Sequence, residues 1–282
     1  MMNLQIAFTK ASGAGNDFVL VNNFDGALRI DYPALARAVC DRHFGVGGDG
    51  LLILERSETA DFAMKYFNAD GSWGGMCGNG GRCIARFAKE EGIAGATQKF
   101  EAIGHLYQAE VGDGAVRLHM KDPVGFRDGL SLSIGGKSLE ATFLDTGAPH
   151  VVIFDADVER TDVRSLGAAI RRDTLFQPGG TNVNFVRRTG PAAIEIRTYE
   201  RGVEAETLAC GTGTVASALI AAHRFAMNTP VETLVKSGER LSVSFRGSAG
   251  NWSHVVLEGS AYLLFAGTLT YQTEPPRIVH SS

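Results

Sequence analysis

The tetrad Cys77-Gly78-Asn79-Gly80 returns 133 positions later as Cys210-Gly211-Thr212-Gly213, and each copy leads into an apolar, helix-like run. At the same separation Tyr66 of MKYFNADG meets Tyr199 of IRTYERG, Gly47 of FGVGGDGLLIL meets Gly180 of PGGTNVNFV, and Asp17 of SGAGNDFVLV meets His150 of TGAPHVVIF. The helix-like DYPALARAVCDRHF faces DVRSLGAAIRRDTLF at a separation that differs by two. Five elements recur in one order, which the chance alignment of one cysteine does not produce. The chain is therefore read as two copies of one folding unit.

Each copy reads as a glycine turn into a strand, a helix, a second glycine turn into a strand, a further strand, and then the cysteine turn with its helix. NDFVLVNN and HVVIFDA are β-branched or aromatic runs bounded by turn residues, which predicts strands. CIARFAKEEG places Ile84, Phe87 and Ala88 on one helical face and stops at Gly92. TVASALIAAHRF places Val215, Leu219 and Ala222 at helical spacing. GAVRLHM and ERLSVSFRG supply further strands. Asp122-Pro123 interrupts a strand, and GTLTYQT is read as a strand returning to the first half. The expected halves are thus 1–122 with 267–282, and 123–266.

Composition removes several classes of function. A net charge of −4 over 282 residues gives no electrostatic reason to expect nucleic acid or an anionic membrane. No apolar run approaches the roughly 18 residues of a membrane span, and the opening MMNLQIAFTKASGAGNDF lacks a basic region followed by an apolar signal core. A cytoplasmic location is the expectation. Four cysteines, Cys40, Cys77, Cys83 and Cys210, are too few for a disulfide scaffold and miss the paired spacing of a zinc site. Cys40 and Cys83 fall within helix-like apolar segments and read as buried fillers.

Cys77 and Cys210 differ because each stands at a helix entrance. A helix N-terminus has unpaired backbone N–H groups and a positive dipole end, which lowers a thiol's pKa from about 8.5 and favours an anion nearby. Glycines let the backbone approach that anion closely. Two such entrances facing one carboxylate would let one thiolate remove a proton from the adjacent carbon while a thiol delivers one to the opposite face, inverting the stereocentre. Two other readings stand beside this one: helix-start fillers, and a redox dithiol, although redox pairs usually sit together as Cys-x-x-Cys.

The residues also resemble a known family. GAGNDFVLV, FGVGGDGLLIL, FNADGSWGGMCGNGGRC, TGAPH, TNVNFV and YERGVEAETLACGTG together resemble the diaminopimelate epimerases, across nearly the whole chain. These are amino-acid epimerases of lysine and peptidoglycan-precursor biosynthesis that use neither pyridoxal phosphate nor metal. The resemblance implies an α/β fold of the α+β type. It implies two pseudo-symmetric domains, each a mixed β-sheet wrapped around a central helix, with the active site in the interdomain cleft. It implies that Cys77 and Cys210 are the acid/base pair, and that Gly78, Asn79, Gly211 and Thr212 offer helix-start donors to the reacting carboxylate. Asn16 and His150 would flank the same end, Glu200 would pair with an ammonium, and Asn68, Asn182 and Arg201 would hold the remote amino-acid end. The implied reaction interconverts LL- and meso-2,6-diaminopimelate. The expected partner is that small-molecule substrate, with no cofactor, no nucleic acid and no membrane; a homodimer is kept open as the assembly.

From the residues alone, blander roles compete. Asn16 and Asn68 suit turns, His150 suits a satisfied loop position, and Glu200 and Arg201 suit a solvated surface. The rival activities are a racemase or epimerase for proline-type or other amino acids, and a non-catalytic amino-acid-binding protein. The chain departs from the family pattern at two points. Ala148-Pro149-His150 stands where Asn-Pro-His is common, and the stretch around Val203-Glu204-Ala205 is one residue longer.

Overall fold

The computed structural model describes residues 3–279. Residues 1–2 and 280–282, the outer ends of the expected first half, lie outside the described residues. In chain order the elements are β1 (Asn3–Gly13), β2 (Asn16–Asn23), α1 (Tyr32–Cys40), β3 (Gly50–Glu55), β4 (Phe62–Asn68), α2 (Gly78–Glu90), β5 (Thr97–Ala102), β6 (His105–Val111) and β7 (Val116–His119). They continue as β8 (Val124–Ile134), β9 (Lys137–Asp145), β10 (Pro149–Phe154), α3 (Val163–Arg171), β11 (Asn182–Gly190), β12 (Ala193–Glu200), β13 (Ala205–Thr207) and α4 (Gly211–Phe225). The last are β14 (Val231–Leu234), β15 (Arg240–Arg246), β16 (Ser253–Gly259), β17 (Tyr262–Thr273) and β18 (Pro276–Val279). Two compact units result, Met1–Leu118 with Gly259–Ser282, and His119–Glu258.

In the first unit the strands run β18-β17-β1-β2-β3-β4-β5-β6-β7, antiparallel except for β2–β3 and β4–β5. In the second they run β8-β9-β10-β11-β12-β14-β15-β16, antiparallel except for β10–β11 and β12–β14. Parallel neighbours require a crossover. The four helices supply it, α1 and α2 in the first unit, α3 and α4 in the second. This is a mixed α+β fold built twice.

The central parallel pairs β2–β3 and β10–β11 are covered on both faces, as their unbroken apolar runs require. In the first unit Val19, Val21, Leu51, Ile53 and Phe67 point to one side, where they pack with Leu35, Ala36 and Val39 of α1. In the second, Val151, Ile153, Val183, Phe185 and Tyr199 do the same with Val163 and Ile170 of α3. The opposite face holds α2 or α4, whose residues Gly78–Ala85 and Thr214–Ala222 are buried throughout. Asp31 and Asp162 cap α1 and α3, accepting from Ala34 N and Ser165 N at 3.0 Å. The stop expected at Gly92 is present: Gly92 takes left-handed geometry at φ +68°, and Ile93 N returns to Ala88 O.

The pairing corrects the alignment of the two halves. Phe18↔Gly50 corresponds to His150↔Asn182, and Leu51↔Phe67 to Val183↔Tyr199, a separation of 132 rather than 133. His150 therefore matches Phe18, not Asp17, and Tyr199 matches Phe67, not Tyr66. In a strand a one-residue difference moves every side chain to the other face. The extra residue lies between Glu200 and Cys210, so only the cysteines keep the separation of 133.

Asp17 anchors the start of β2 through an ionic network that runs from buried Lys10 to exposed Arg42. Lys10, almost fully buried, donates to Asp17 at 2.7 Å and also to the Gly47 carbonyl. Arg42 donates to Asp17 at 3.0 and 2.8 Å and to Asp49 at 2.8 Å. Burial by itself raises the Asp17 carboxyl, but the hydrogen bonds from Arg42 and Lys10 overcome it and hold the group down at about 2. Its folded pKa is below the ordinary 3.8, so the stabilisation is complete above that value and is lost as pH falls from there through about 2. Asp17→Asn should shrink the difference in unfolding free energy between pH 7 and pH 2 by about 2 kcal/mol. Denaturant titrations at the two pH values measure it, and an unchanged difference would show that the network does not depend on this carboxylate.

Candidate active site

The Cys-Gly-polar-Gly tetrads are not turns that precede a helix; they are its first turn. Cys77 (φ −121°, ψ 124°) and Cys210 (φ −122°, ψ 113°) are extended residues at the N-cap, and the helices begin at Gly78 and Gly211. Gly81 N and Thr214 N close the first helical bonds on the Cys77 and Cys210 carbonyls, at 2.7 and 2.8 Å. The amides of the three residues between, Gly78 to Gly80 and Gly211 to Gly213, have no carbonyl partner within the helix by its geometry. Each unit thus places a set of backbone donors directly after a cysteine. Cys77 is half-buried, and Cys210 is buried. The other two thiols are unlike them: burial pushes Cys40 and Cys83 up to about 12, so both remain protonated apolar fillers.

In the first unit the helix start is held by a chain of polar groups. Asn79 Nδ2 donates to Asn16 Oδ1 at 2.6 Å, and Asn16 Nδ2 donates to Asp49 at 3.0 Å. Arg82, fully buried, donates to Asn79 Oδ1 at 2.9 Å, to the Gly78 carbonyl at 3.3 Å and to the Ser260 carbonyl at 3.3 Å. Asn16, Gly78, Asn79 and Cys77 are therefore one cluster. Asn68 ends β4 and donates to Ser72 Oγ at 2.9 Å. Neither Arg82 nor Asp49 was among the residues expected from sequence. An arginine inside an apolar helical run was the available signal for Arg82.

In the second unit His150 lies on β10, fully buried, on the face toward α4. Its Nε2 is 2.9 Å from Thr212 Oγ1, and Thr212 Oγ1 is 3.5 Å from Cys210 Sγ. Its Nδ1 is 3.2 Å from Asn184 Nδ2. Burial, with the Arg201 charge as the smaller cause, lowers His150 to about 3, so the ring is neutral. It is a core residue, not a loop histidine. Asn182 donates to the Pro149 carbonyl at 3.0 Å and accepts from Arg201 N at 2.9 Å, while the Arg201 guanidinium donates to the Gly179 carbonyl at 3.0 Å. Glu200 ends β12 at the position Asn68 holds in β4, since the two lie 132 residues apart. Asn184, Thr146 and Thr198 were not foreseen, although alternate asparagines in the apolar strand TNVNFV place Asn184 on the same face as Asn182.

Gly213 shows how tightly this start is packed. A Cβ there would lie 2.5 Å from Asn184 Oδ1 and 3.3 Å from the His150 ring. Among the described residues, no helix is long and apolar enough to cross a membrane.

The sequence profile of diaminopimelate epimerase matches residues 8–122 and 142–264. A diaminopimelate epimerase of Chlorobaculum tepidum is 47% identical over 263 residues, covering 92% of this chain and 99% of its own. One of Aquifex aeolicus is 40% identical over 274 residues, covering 93% and 97%. Among solved structures, a Bacillus anthracis phenazine biosynthesis protein of the PhzF family superposes with a TM-score of 0.74 at 14% identity, covering 94% of this chain and 99% of its own. A probable proline racemase from Agrobacterium radiobacter K84 does so with a TM-score of 0.71 at 16% identity, covering 93% and 92%. At those identities the structures speak for a shared fold alone. With both cysteine helices inside the matched segments, the chain belongs to the diaminopimelate epimerase family.

Proposed function

We propose that the chain is an isomerase that interconverts LL- and meso-2,6-diaminopimelate by proton transfer at one α-carbon, a step in making lysine and peptidoglycan precursors. The observation that carries this reading is the placement of Cys77 and Cys210 at the same N-cap position of the buried helix in each unit. In the proposed reaction the thiolate of one cysteine takes the α-proton and becomes a thiol. The electron pair of the broken carbon–hydrogen bond passes into the α-carboxylate. The thiol of the other cysteine then gives its proton to the opposite face and becomes a thiolate.

A carbon acid this weak needs its carbanion stabilised. We assign that task to the amides of Gly78, Asn79, Gly211 and Thr212, fixed donors at two positive helix ends, with Asn16 and His150 flanking the same carboxylate. Glu200 is assigned to an ammonium group, and Asn68, Asn182 and Arg201 to the remote end, Arg201 by a forked bond to the second carboxylate. These roles require the two units to close on one ligand, with the halves divided at 1–122 with 267–282 and at 123–266. No cofactor is invoked. A cytoplasmic location fits the composition. A homodimer is the proposed assembly, through Tyr262, Leu264 and Phe265 of β17, each about half exposed. Sedimentation at the mass of a single chain would remove that proposal.

The mechanism is tested in heavy water. The first product should carry deuterium at the inverted carbon while unreacted substrate stays unlabelled, because the proton removed is not the one returned. A single base working on both faces would return original hydrogen to the product. Cys77→Ala and Cys210→Ala should each lower turnover by at least about 10²–10⁴-fold, the scale of a lost acid or base. Substantial activity in either would reduce that cysteine to a helix-start filler.

Specificity for the second carboxylate rests on Arg201. Arg201→Lys should weaken binding of diaminopimelate by about 1–3 kcal/mol, the scale of a charge-assisted hydrogen bond. Lysine, which lacks that carboxylate, should be a poor substrate. Equal turnover of the two amino acids would instead favour an epimerase of broader specificity, and binding without turnover of either would favour an amino-acid-binding protein.

A further inference from the structure

We propose that Asn184 is a positioning residue: it fixes the tautomer of His150, so that the hydroxyl hydrogen of Thr212 is left to point at the Cys210 sulfur. The proposal rests on Cys210 taking part in proton transfer, and it concerns how that sulfur is prepared.

The hydrogen positions follow from the partners. Asn184 Nδ2 lies 3.1 Å from the Val151 carbonyl, which can only accept, so the amide nitrogen must be on that side. The amide oxygen then faces Thr198 Oγ1, which donates to it at 2.9 Å. The second hydrogen of Nδ2 points at His150 Nδ1, 3.2 Å away. A ring nitrogen facing a donor must carry its lone pair. A neutral imidazole has one N–H, so it sits on Nε2 and donates to Thr212 Oγ1 at 2.9 Å. Thr212 therefore cannot give its own hydrogen to the ring. Cys210 Sγ, 3.5 Å from that hydroxyl, is in reach to accept it, and a thiolate accepts better than a thiol.

The opposite tautomer would reverse the relay. With the hydrogen on Nδ1, Nε2 would accept from Thr212, and the Thr212 oxygen would be left to accept from an S–H. The orientation of one amide thus decides whether the hydroxyl supports the basic or the acidic form of Cys210. The neutral state of the ring supports the assignment, since a charged ring would set N–H against N–H at Asn184. Arg201 is the charged group acting on the ring, and it opposes protonation too.

Packing does not require a polar side chain at this position. The residue matching Asn184 in the first unit is Leu52, buried at the same register of β3. Burying an amide is costly unless its hydrogen bonds are made. Here the fully buried Asn184 directs its two N–H groups at Val151 and His150 and accepts from Thr198. The feature that separates the two units at this point is the histidine.

The test reads the tautomer directly, without activity. In protein carrying ¹⁵N-labelled histidine, long-range proton–nitrogen correlation should show His150, identified by its loss in His150→Gln, with an unprotonated Nδ1 and a protonated Nε2 across pH 5 to 8. A protonated Nδ1 in the parent protein would overturn the proposal. Asn184→Asp should move a hydrogen onto Nδ1. Thr212→Val keeps the side-chain shape and removes the hydroxyl, so it should slow alkylation of Cys210 at neutral pH by about tenfold relative to Cys77 in the same molecules, the loss of one hydrogen bond to a charged sulfur. Thr212→Ser should restore it. Unchanged Cys210 alkylation in Thr212→Val would also overturn the proposal. Failure of the epimerase reading would appear separately, as an unaltered tautomer with no isomerisation of any substrate.

Discussion

Both halves of the molecule depend on burying the N-terminus of a helix. A buried helix start must direct its unpaired amides at an acceptor, and it must be slender enough to be enclosed. Glycines stand at positions 78, 80 and 81 of α2 and 211 and 213 of α4, and the second demand is sharpest at Gly213. A methyl at Gly81 would lie 2.8 Å from Met76 Cε, and one at Gly213 would lie 2.5 Å from Asn184 Oδ1. Each glycine weakens a helix by roughly 1 kcal/mol relative to alanine. The cost is offset along the rest of each helix, where Ile84, Phe87, Val215, Leu219 and Ile220 are buried against the surrounding strands. The first demand ties the cysteine position to the fold, since the N-cap cysteine stands immediately before those amides.

Equal positions do not give the two cysteines equal surroundings. The Cys77 helix start rests on a fixed cation: Arg82 reaches the Gly78 carbonyl and the Asn79 amide, and the line of polar groups continues through Asn16 to Asp49 and Arg42. Beside the Cys210 helix start Thr212, His150, Asn184 and Thr198 are hydrogen-bonded in sequence, with the Arg201 charge acting on the His150 ring. Charge and hydrogen bonding shift a thiol by different routes. Equal N-cap positions therefore do not make the two cysteines equivalent.

Much of this was legible in the sequence. The duplication, the order of strands and helices in each half, and the two cysteine helices all follow from pattern. The register did not, because the strongest landmarks were the cysteines, and the one extra residue between Glu200 and Cys210 shifts them against the strands. The equation of Tyr66 with Tyr199 was a coincidence of type: the Tyr66 ring packs on Phe18, while Tyr199 belongs to the cluster under α3. Asn68 and Glu200, in contrast, prove to be matched strand ends. Asn184 was hidden because a polar residue in an apolar strand acquires meaning only from what faces it, and sequence does not show His150 across the parallel pair. Arg82 was hidden for the same reason.

The two departures from the family pattern have different weight. The added length at Val203-Glu204-Ala205 is absorbed locally. Glu204 takes left-handed geometry at φ +57°, where a non-glycine residue is strained, and its carboxylate accepts from Arg171 at 2.7 Å and from Tyr199 and Gly202 at 3.1 Å. Its amide returns to the Glu200 carbonyl at 2.8 Å. The loop is thereby tied to α3, and Glu200 and Arg201 keep their places at the end of β12. Ala148 has no such remedy in its own side chain. It stands 132 residues after Asn16, whose amide links Asn79 to Asp49 in the first unit. The second unit lacks that amide, and its loop is held instead by Thr146, which donates to the Thr212 carbonyl at 2.9 Å. The same threonine whose hydroxyl meets His150 thus also has its backbone held from the Ala148 loop, and the work that an asparagine does beside Cys77 falls beside Cys210 to the histidine.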